Sequence, residues 1–444
     1  MKIALSIAGS DSSAGAGIQA DLKTFSSLGV YGCTALTTIT SQTGSGISGI
    51  LQVSPKMIEK QIQAILDDIT PDAIKIGMVY GKNAISSIRK VLKESKIPMI
   101  LDPVMIAGTG ERLLNSDAVT DLITHLLPLS TVATPNKFEA EVISGLKINS
   151  VQSAITAAEK IRKKGAHNVV LKGGHLPGRF STDIILNSRN HVFELSNHRL
   201  TYDRMHGGGC TFSASLTAYV AKNYAIVDAC RSANQFTHSS LKNRIAIGSK
   251  FIINSPFFKF YELADRYEVY TSLQRAIEMI EATPYFGKLI PETQSNLAYS
   301  ISEPSGIDDI MAVKGRIVKV GDNAKPVSSL KFGVSKHIGA AILGYMKFRP
   351  NMRAAMNIKY NSRSILEARR FFSVSNYDRT KEPKQSKRRE GYSVAWGINQ
   401  ALLKNPTADI IYHQGDFGKE AMTIVFAPTP IDVVKKLKHI LRYY

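Results

Sequence analysis

Cysteine is scarce in this chain, with three in 444 residues: Cys33, Cys210 and Cys230. They fall in no metal-ligand spacing and are too few for a disulfide framework. That excludes a cysteine zinc site and a disulfide-stapled secreted scaffold, and makes a reducing cytoplasm the expected setting. Long apolar runs are missing too. None approaches the roughly 20 residues that cross a bilayer, so no membrane partner is expected. The stretch Met1 to Ala8 reads as a strand entering a glycine turn, not as a secretion signal. No Gly-x-x-x-x-Gly-Lys-Ser/Thr occurs, so any ATP chemistry is not that of a P-loop. Internal repeats, low-complexity tracts and a helix-turn-helix signal are likewise absent.

What remains is an ordinary globular composition, 44% hydrophobic and 21% charged. The length exceeds one core and implies two or three domains. The formal net charge of +20 invites a nucleic-acid partner. However, the basic residues are dispersed over helix faces such as Lys160-Ile161-Arg162-Lys163-Lys164. The one dense run, Lys381 to Arg389, contains Pro383 and reads as a loop. Phosphorylated small substrates suit this balance, and no nucleic acid is expected.

Short apolar runs alternate with amphipathic ones: a strand over 3–8, a helix over 18–28, a strand over 34–40, then helix and strand in turn to about residue 171. A hairpin over 182–186 and 191–195 and two helices, 210–222 and 226–244, follow. That order predicts an α/β domain with a doubly wound, mostly parallel sheet. Composition shifts near Asn254-Ser255-Pro256-Phe257-Phe258. The expected division is a first domain over 1–255, a linker over 256–264 and a separate α+β domain over 265–444, opened by a helix over 263–281. Gly44-Ser45-Gly46-Ile47-Ser48-Gly49 matches a dinucleotide fingerprint, but no helix opens after it, so that reading is set aside.

The chemistry centres on His206-Gly207-Gly208-Gly209-Cys210-Thr211, which runs into a helix of small and apolar residues. Such a turn aims backbone N–H groups and a helix dipole at one point, a natural place for a phosphate or an oxyanion. Cys210 is expected to feel that dipole and to have a lowered thiol pKa. A tight turn with an inert cysteine is the bland alternative. The esterase oxyanion loop is another, but it needs a Gly-x-Ser-x-Gly elbow that the chain lacks. At other strand ends stand Asp102-Pro103-Val104-Met105 followed by Ala107 to Gly110, then Asn136 and Glu139 at a helix entry, and Lys172-Gly173-Gly174-His175. Asp102 and Glu139 are candidates to hold Mg²⁺ beside phosphate oxygens, with an N-cap or a surface charge as the plain alternative.

These motifs, with Ala8 to Asp21 (AGSDSSAGAGIQAD), Thr40-Ser41-Gln42 and Thr134-Pro135-Asn136, resemble the hydroxymethylpyrimidine/phosphomethylpyrimidine kinases of thiamine biosynthesis. The resemblance implies a ribokinase-like fold using Mg²⁺ and ATP. It implies that Gly9, Asp21, Gln42, Met78 and Val104 line the pyrimidine pocket. Asn136, Lys172 and Gly174 would face the nucleotide, and Gly207, Gly209 and Cys210 the reacting groups. Departures from the family pattern are Gly208 for Thr, Arg204-Met205 before the histidine, and Gly108 where lysine is common.

From about Asp265 the chain resembles the thiamine-phosphate synthase domain that follows such kinases and is not a TIM barrel. The matching stretches include Ile290-Pro291-Glu292, Lys314-Gly315-Arg316, Phe332 to His337, Arg353 to Tyr360, Asp378-Arg379 with Glu382-Pro383, and Gly418-Lys419-Glu420. His413 stands where the family usually has Asp. The resemblance implies that Arg316 and His337 stabilise departing pyrophosphate, with Lys336, Arg353 and Asn357 binding substrate. Arg353 and Asn357 are expected on one helix face at i, i+4. Two other readings keep the fold: a thiamine-phosphate sensor in place of the second enzyme, or a first domain that phosphorylates another vitamin such as pyridoxal. The expected partners are small molecules, with self-association left open.

Overall fold

The computed structural model describes residues 1–444 except 44–45, 107–112, 115, 177, 201–204, 248–250, 384–391 and 417. Gly44-Ser45, the 107–110 loop with Gly108, Arg204 and most of the Lys381–Arg389 run therefore lie outside the described residues. The chain forms two compact units, Met1–Phe260 and Tyr261–Tyr444.

The first unit begins with β1 (Lys2–Asp11), α1 (Gly17–Ser27), β2 (Val30–Thr43), β3 (Gly46–Gln52) and α2 (Pro55–Asp68). Then come β4 (Ala73–Ile76), α3 (Lys82–Leu92), β5 (Met99–Leu101), α4 (Ser116–Asp121), β6 (Val132–Ala133), α5 (Lys137–Ser144) and α6 (Val151–Lys163). It closes with β7 (Asn168–Leu171), β8 (Phe180–Leu186), β9 (Val192–His198), β10 (Met205–His206), α7 (Gly208–Ala221), α8 (Ile226–Lys242), β11 (Ile245–Ile247) and β12 (Phe251–Ile253).

Nine strands pair in the order β3-β2-β1-β4-β5-β6-β7-β8-β9. The six from β2 to β7 are parallel, and antiparallel β3, β8 and β9 close the edges. Alternate residues of each strand feed opposite faces, as the period of two requires. Leu5, Ile7, Ile74 and Ile76 pack with α2 and α3 residues, while Ala73, Ile100, Val132 and Val170 pack with α7 and α8. Both faces are covered, so the inner strands read as nearly continuous apolar runs. The parallel strands end together on one edge, where the glycine loops lie. Residues 46–52 of the glycine-patterned stretch form β3 against β2, in keeping with setting the dinucleotide reading aside.

Helix α9 (Phe258–Glu281) begins at the end of the first unit and runs into the second. The second unit then has β13 (Leu297–Ser300), β14 (Ile310–Val313), β15 (Ile317–Val320), β16 (Asn323–Pro326), β17 (Leu330–Phe332) and α10 (Lys336–Met346). It continues with β18 (Ala354–Lys359), α11 (Ser362–Ala368), β19 (Val374–Asn376), α12 (Tyr392–Lys404), β20 (Ile410–His413), β21 (Met422–Ala427) and α13 (Pro430–Leu441). Seven strands pair in the order β17-β14-β13-β18-β21-β20-β19, antiparallel except for β19 with β20. Leu297, Tyr299, Met356 and Ile358 face α9 and α13, while Ala298 and Ala355 face α10 and α12. α9 starts at Phe258, so most of the stretch expected as linker is helical. Pro256 stands just before it, and Phe258 packs on Phe236 at 5.8 Å between ring centroids.

Candidate active site

The loop after β1 is built around Asp11. One carboxylate oxygen accepts the N–H and hydroxyl of Ser13, both at 2.8 Å; the other accepts the N–H groups of Gly15 and Ala16 at 3.1 and 2.7 Å. That spends its acceptors on shaping backbone. At Gly17, with φ of 59°, a Cβ would stand 2.4 Å from the Gly9 carbonyl oxygen. At Gly207, with φ of 89°, it would stand 2.1 Å from the Gly15 oxygen. The two glycine loops thus lie backbone to backbone, an approach only glycine permits.

Gly207 is the N-cap of α7, which places Gly208, Gly209 and Cys210 in its first turn, where N–H groups lack helical partners. Lys172 ends β7 close by: a Cβ on Gly209 would be 3.3 Å from its Nζ. Lys172 is paired to Asp102 at 2.7 Å, and Ser213, one turn along α7, donates to the other Asp102 oxygen at 2.9 Å. Asn136 and Glu139 form a capping box at the start of α5, with bonds of 3.0 and 2.8 Å. The plain N-cap alternative is therefore real, and both side chains also line the cavity.

That cavity, of about 570 Å³, collects Gly9, Gln42, Met78, Asp102, Val104, Asn136, Glu139, Lys172, Gly174, Gly207, Gly209 and Cys210. Twelve side chains or glycines named from separate strand ends meet in one space. Asp21 does not meet them. It is fully buried beneath Lys75, whose Nζ it binds at 2.7 and 2.8 Å, and it accepts the Ser6 hydroxyl at 2.6 Å. The lining residue is Lys75. A lone lysine inside the apolar strand Ala-Ile-Lys-Ile was the available signal, since a buried cation needs a partner. Burial alone would strip its proton, but the carboxylates of Asp21 and Asp102 hold Lys75 well above the usual lysine range.

Cys210 departs from expectation as well. Burial pushes its thiol up to about 11; Lys75 and the Gly17 N–H at the sulfur act the other way without prevailing. Desolvation of the thiolate outweighs the helix terminus.

The donor set suits Mg²⁺. Burial pushes Glu139 up to about 7, with Lys172 lowering it and neighbouring Asp102 raising it. Two hard carboxylates thus share a pocket with one lysine between them, and Mg²⁺ takes one or two carboxylates alongside phosphate oxygens and water. At the far end, Arg199 donates to the Gly174, Leu176, Gly178 and Phe180 carbonyls, and Asp183 accepts the Gly173 N–H at 2.7 Å. These bonds hold the turn after β7 open.

In the second unit the expected residues do not converge. Arg353 lies just before strand β18 and Asn357 within it, not on a helix. Arg353 pairs with Asp265 at 2.7 Å, donates to the Ser300 carbonyl at 3.0 Å and stacks on Tyr299. Asn357 accepts the Asn296 N–H and donates to the Gln294 carbonyl. Arg353 thus ties the start of β18 to α9 and β13, and Asn357 ties β18 to the segment before β13. The register Met311↔Phe332 and Val313↔Leu330 puts Lys336 and His337, at the start of α10, beyond one end of β14. Arg316 lies beyond the other.

A doubly wound sheet with an anion turn, a lysine and two carboxylates at its strand ends defines a small-molecule kinase of ribokinase type. The comparisons specify which. The family model for phosphomethylpyrimidine kinase matches residues 11–254, and that for thiamine-phosphate synthase ThiN matches 272–439. The hydroxymethylpyrimidine/phosphomethylpyrimidine kinase of Rhizobium meliloti is 42% identical over 55% of this chain and 93% of its own. The bifunctional thiamine biosynthesis protein ThiDN of Methanocaldococcus jannaschii is 30% identical over 100% of this chain and 99% of its own. A Staphylococcus aureus pyridoxal kinase solved with AMP-PCP and pyridoxal matches with a TM-score of 0.54 and 37% identity, over 58% of this chain and 94% of that one. The chain belongs to the phosphomethylpyrimidine kinase family and, over its second unit, to the ThiN thiamine-phosphate synthases.

Proposed function

We propose that the chain runs consecutive steps of thiamine biosynthesis. The first unit phosphorylates 4-amino-5-hydroxymethyl-2-methylpyrimidine and then its phosphate, with ATP as co-substrate. The second joins the resulting diphosphate to thiazole phosphate, giving thiamine phosphate and pyrophosphate. The observation that supports this best is full-length similarity to a protein named for both activities, together with two matching family models in the same order. The pyridoxal alternative draws on the solved structures of pyridoxal kinases that share the fold. It is outweighed by the kinase relatives named for the pyrimidine and by the fused synthase unit.

In the kinase, the N–H groups at the start of α7 and the Lys172 ammonium face the transferred phosphoryl group, which gathers charge on its outer oxygens. Asp102 and Glu139 would hold Mg²⁺, which supplies further neutralisation of phosphate charge. Cys210 stands at the reacting hydroxyl and, in its thiolate form, accepts that proton, while Lys75 beneath it compensates the thiolate charge. Gly9, Gln42, Met78 and Val104 shape the pyrimidine end, and Asn136 and Gly174 the nucleotide end. A cytoplasmic setting fits, and among the described residues no helix is long and apolar enough to cross a membrane.

A coupled assay tests the reading. Given ATP, hydroxymethylpyrimidine and thiazole phosphate, the chain forms thiamine phosphate. Faster turnover of pyridoxal than of the pyrimidine would move the first unit to the other vitamin.

A further inference from the structure

Gly207, Gly208 and Gly209 are consecutive, so the turn that opens α7 has little stiffness of its own. Its support comes from the last residues of the first unit's sheet. Strand β12 runs parallel to β10 with Ile253 opposite His206, which fixes the chain just before Gly207. Asn254, the next residue, reaches the other end of the turn: its Nδ2 donates to Oγ1 of Thr211, one residue past Cys210. Its Oδ1 lies against Gly207, 3.1 Å from where a Cβ would stand. A single planar amide therefore spans the stretch from Gly207 to Cys210.

That amide is itself anchored. Asn254 and Ser255 are 4% and 3% exposed, and the Ser255 N–H donates to the Ser240 carbonyl of α8 at 3.0 Å. Thr211 is fully buried. Gly207, Gly208, Gly209 and Cys210 line the cavity, whereas Thr211 and Asn254 do not. Asn254 thus grips the turn from the side away from the cavity and reaches no substrate.

The N–H groups of this turn act on charge that gathers on the transferred phosphoryl group in the transition state. Such donors work best when their places are set before the charge develops, and a displacement of about 1 Å costs on the order of 10²-fold in rate. A run of glycines cannot set those places alone. We propose that Asn254 is a positioning residue for phosphoryl transfer, holding the Gly208, Gly209 and Cys210 N–H groups in place through Gly207 and Thr211. This rests on the kinase reading of the first unit. In the reaction, the bond to the ADP oxygen breaks with its electron pair left on that oxygen. The new bond forms to the substrate hydroxyl oxygen, whose proton leaves to the Cys210 thiolate. Asn254 enters neither bond. Residues at the compositional shift, which read as the approach to a linker, thereby acquire a part in the kinase.

The test uses the full chain with ATP and hydroxymethylpyrimidine. Each rate is divided by the number of AMP-PCP sites counted by calorimetry, so that misfolded protein drops out. Asn254→Ala lowers kcat by about 10–10²-fold, with KM for both substrates within about twofold of wild type, because the groups that bind them lie elsewhere. Thr211→Val, similar in shape but without the hydroxyl, lowers kcat as well. The double variant is no slower than Asn254→Ala alone, as two ends of one bond require. Thr211→Ser keeps the hydroxyl and stays within about threefold of wild type. If Asn254→Ala matches wild type per site, and only the number of sites or the melting temperature falls, Asn254 merely supports the fold and the proposal is overturned. Rate losses that multiply in the double variant overturn it too. Should Asn254→Ala leave no sites to count, Thr211→Val is set against Thr211→Ser: a kcat lower by about tenfold or more supports the role, and equal rates overturn it. A wild type that phosphorylates pyridoxal and not the pyrimidine refutes the substrate reading alone. The same kcat losses measured with pyridoxal then still support the role of Asn254.

Discussion

Single residues carry the kinase chemistry, and Cys210 is the one most exposed to test. Its thiol, pushed up to about 11 by burial, is protonated at neutral pH. A step that needs the thiolate gains from each rise in pH below that value, because the reactive fraction grows. We expect the wild-type kinase rate to climb between pH 7 and 9. Cys210→Ala should be about 10²–10⁴-fold slower and should lose that climb. Steady-state rates across that range check it; unchanged phosphorylation would return Cys210 to an inert cysteine. Asp21 teaches the converse lesson. Its motif made it look like a pocket residue, yet its role is to neutralise Lys75, which the motif did not flag. A carboxylate in a sequence does not reveal which of two neighbours will face solvent. That depends on which side of β4 the lysine emerges and how close α1 packs.

At the level of elements, the start of α7 makes a paired prediction. Gly207 has φ of 89° and no room for a Cβ, whereas a Cβ on Gly208 would meet only Leu241, at an ordinary 3.5 Å. Gly207→Ala should therefore cost about 2 kcal/mol or more of stability and most kinase activity. Gly208→Ala should add about 0.4–1 kcal/mol by restricting the unfolded chain. Urea unfolding of the two variants separates them. The glycine turn and the α5 capping box were readable from local residues, because their physics is local. Arg353 and Asn357 were not. An i, i+4 pair fits a helix face, but Ala354 to Lys359 has partners on both sides, β13 and β21, and pairing decided for a strand.

At the scale of the whole molecule, each unit has its own buried cluster, and α9 contributes Val269, Leu273, Ile277 and Ile280 to the second. A cut at Ser255, before α9, should give two fragments that fold and perform their half-reactions separately. Aggregation or inactivity of the 256–444 fragment, while the full chain works, would show that the second unit depends on the first. The sequence by itself determined the alternation of strands and helices, the parallel sheet and the glycine turn at its edge. All of these follow from residue period and backbone sterics within a few positions. Only the tertiary structure decided that twelve residues spread from Gly9 to Cys210 line one cavity and that Lys75 takes the place expected of Asp21. It also put Arg316 and His337 beyond opposite ends of β14 and, among the described residues, left Glu382 buried without a hydrogen-bond partner. Those outcomes depend on strand register and on desolvation by distant segments, and neither quantity exists until the chain has closed on itself.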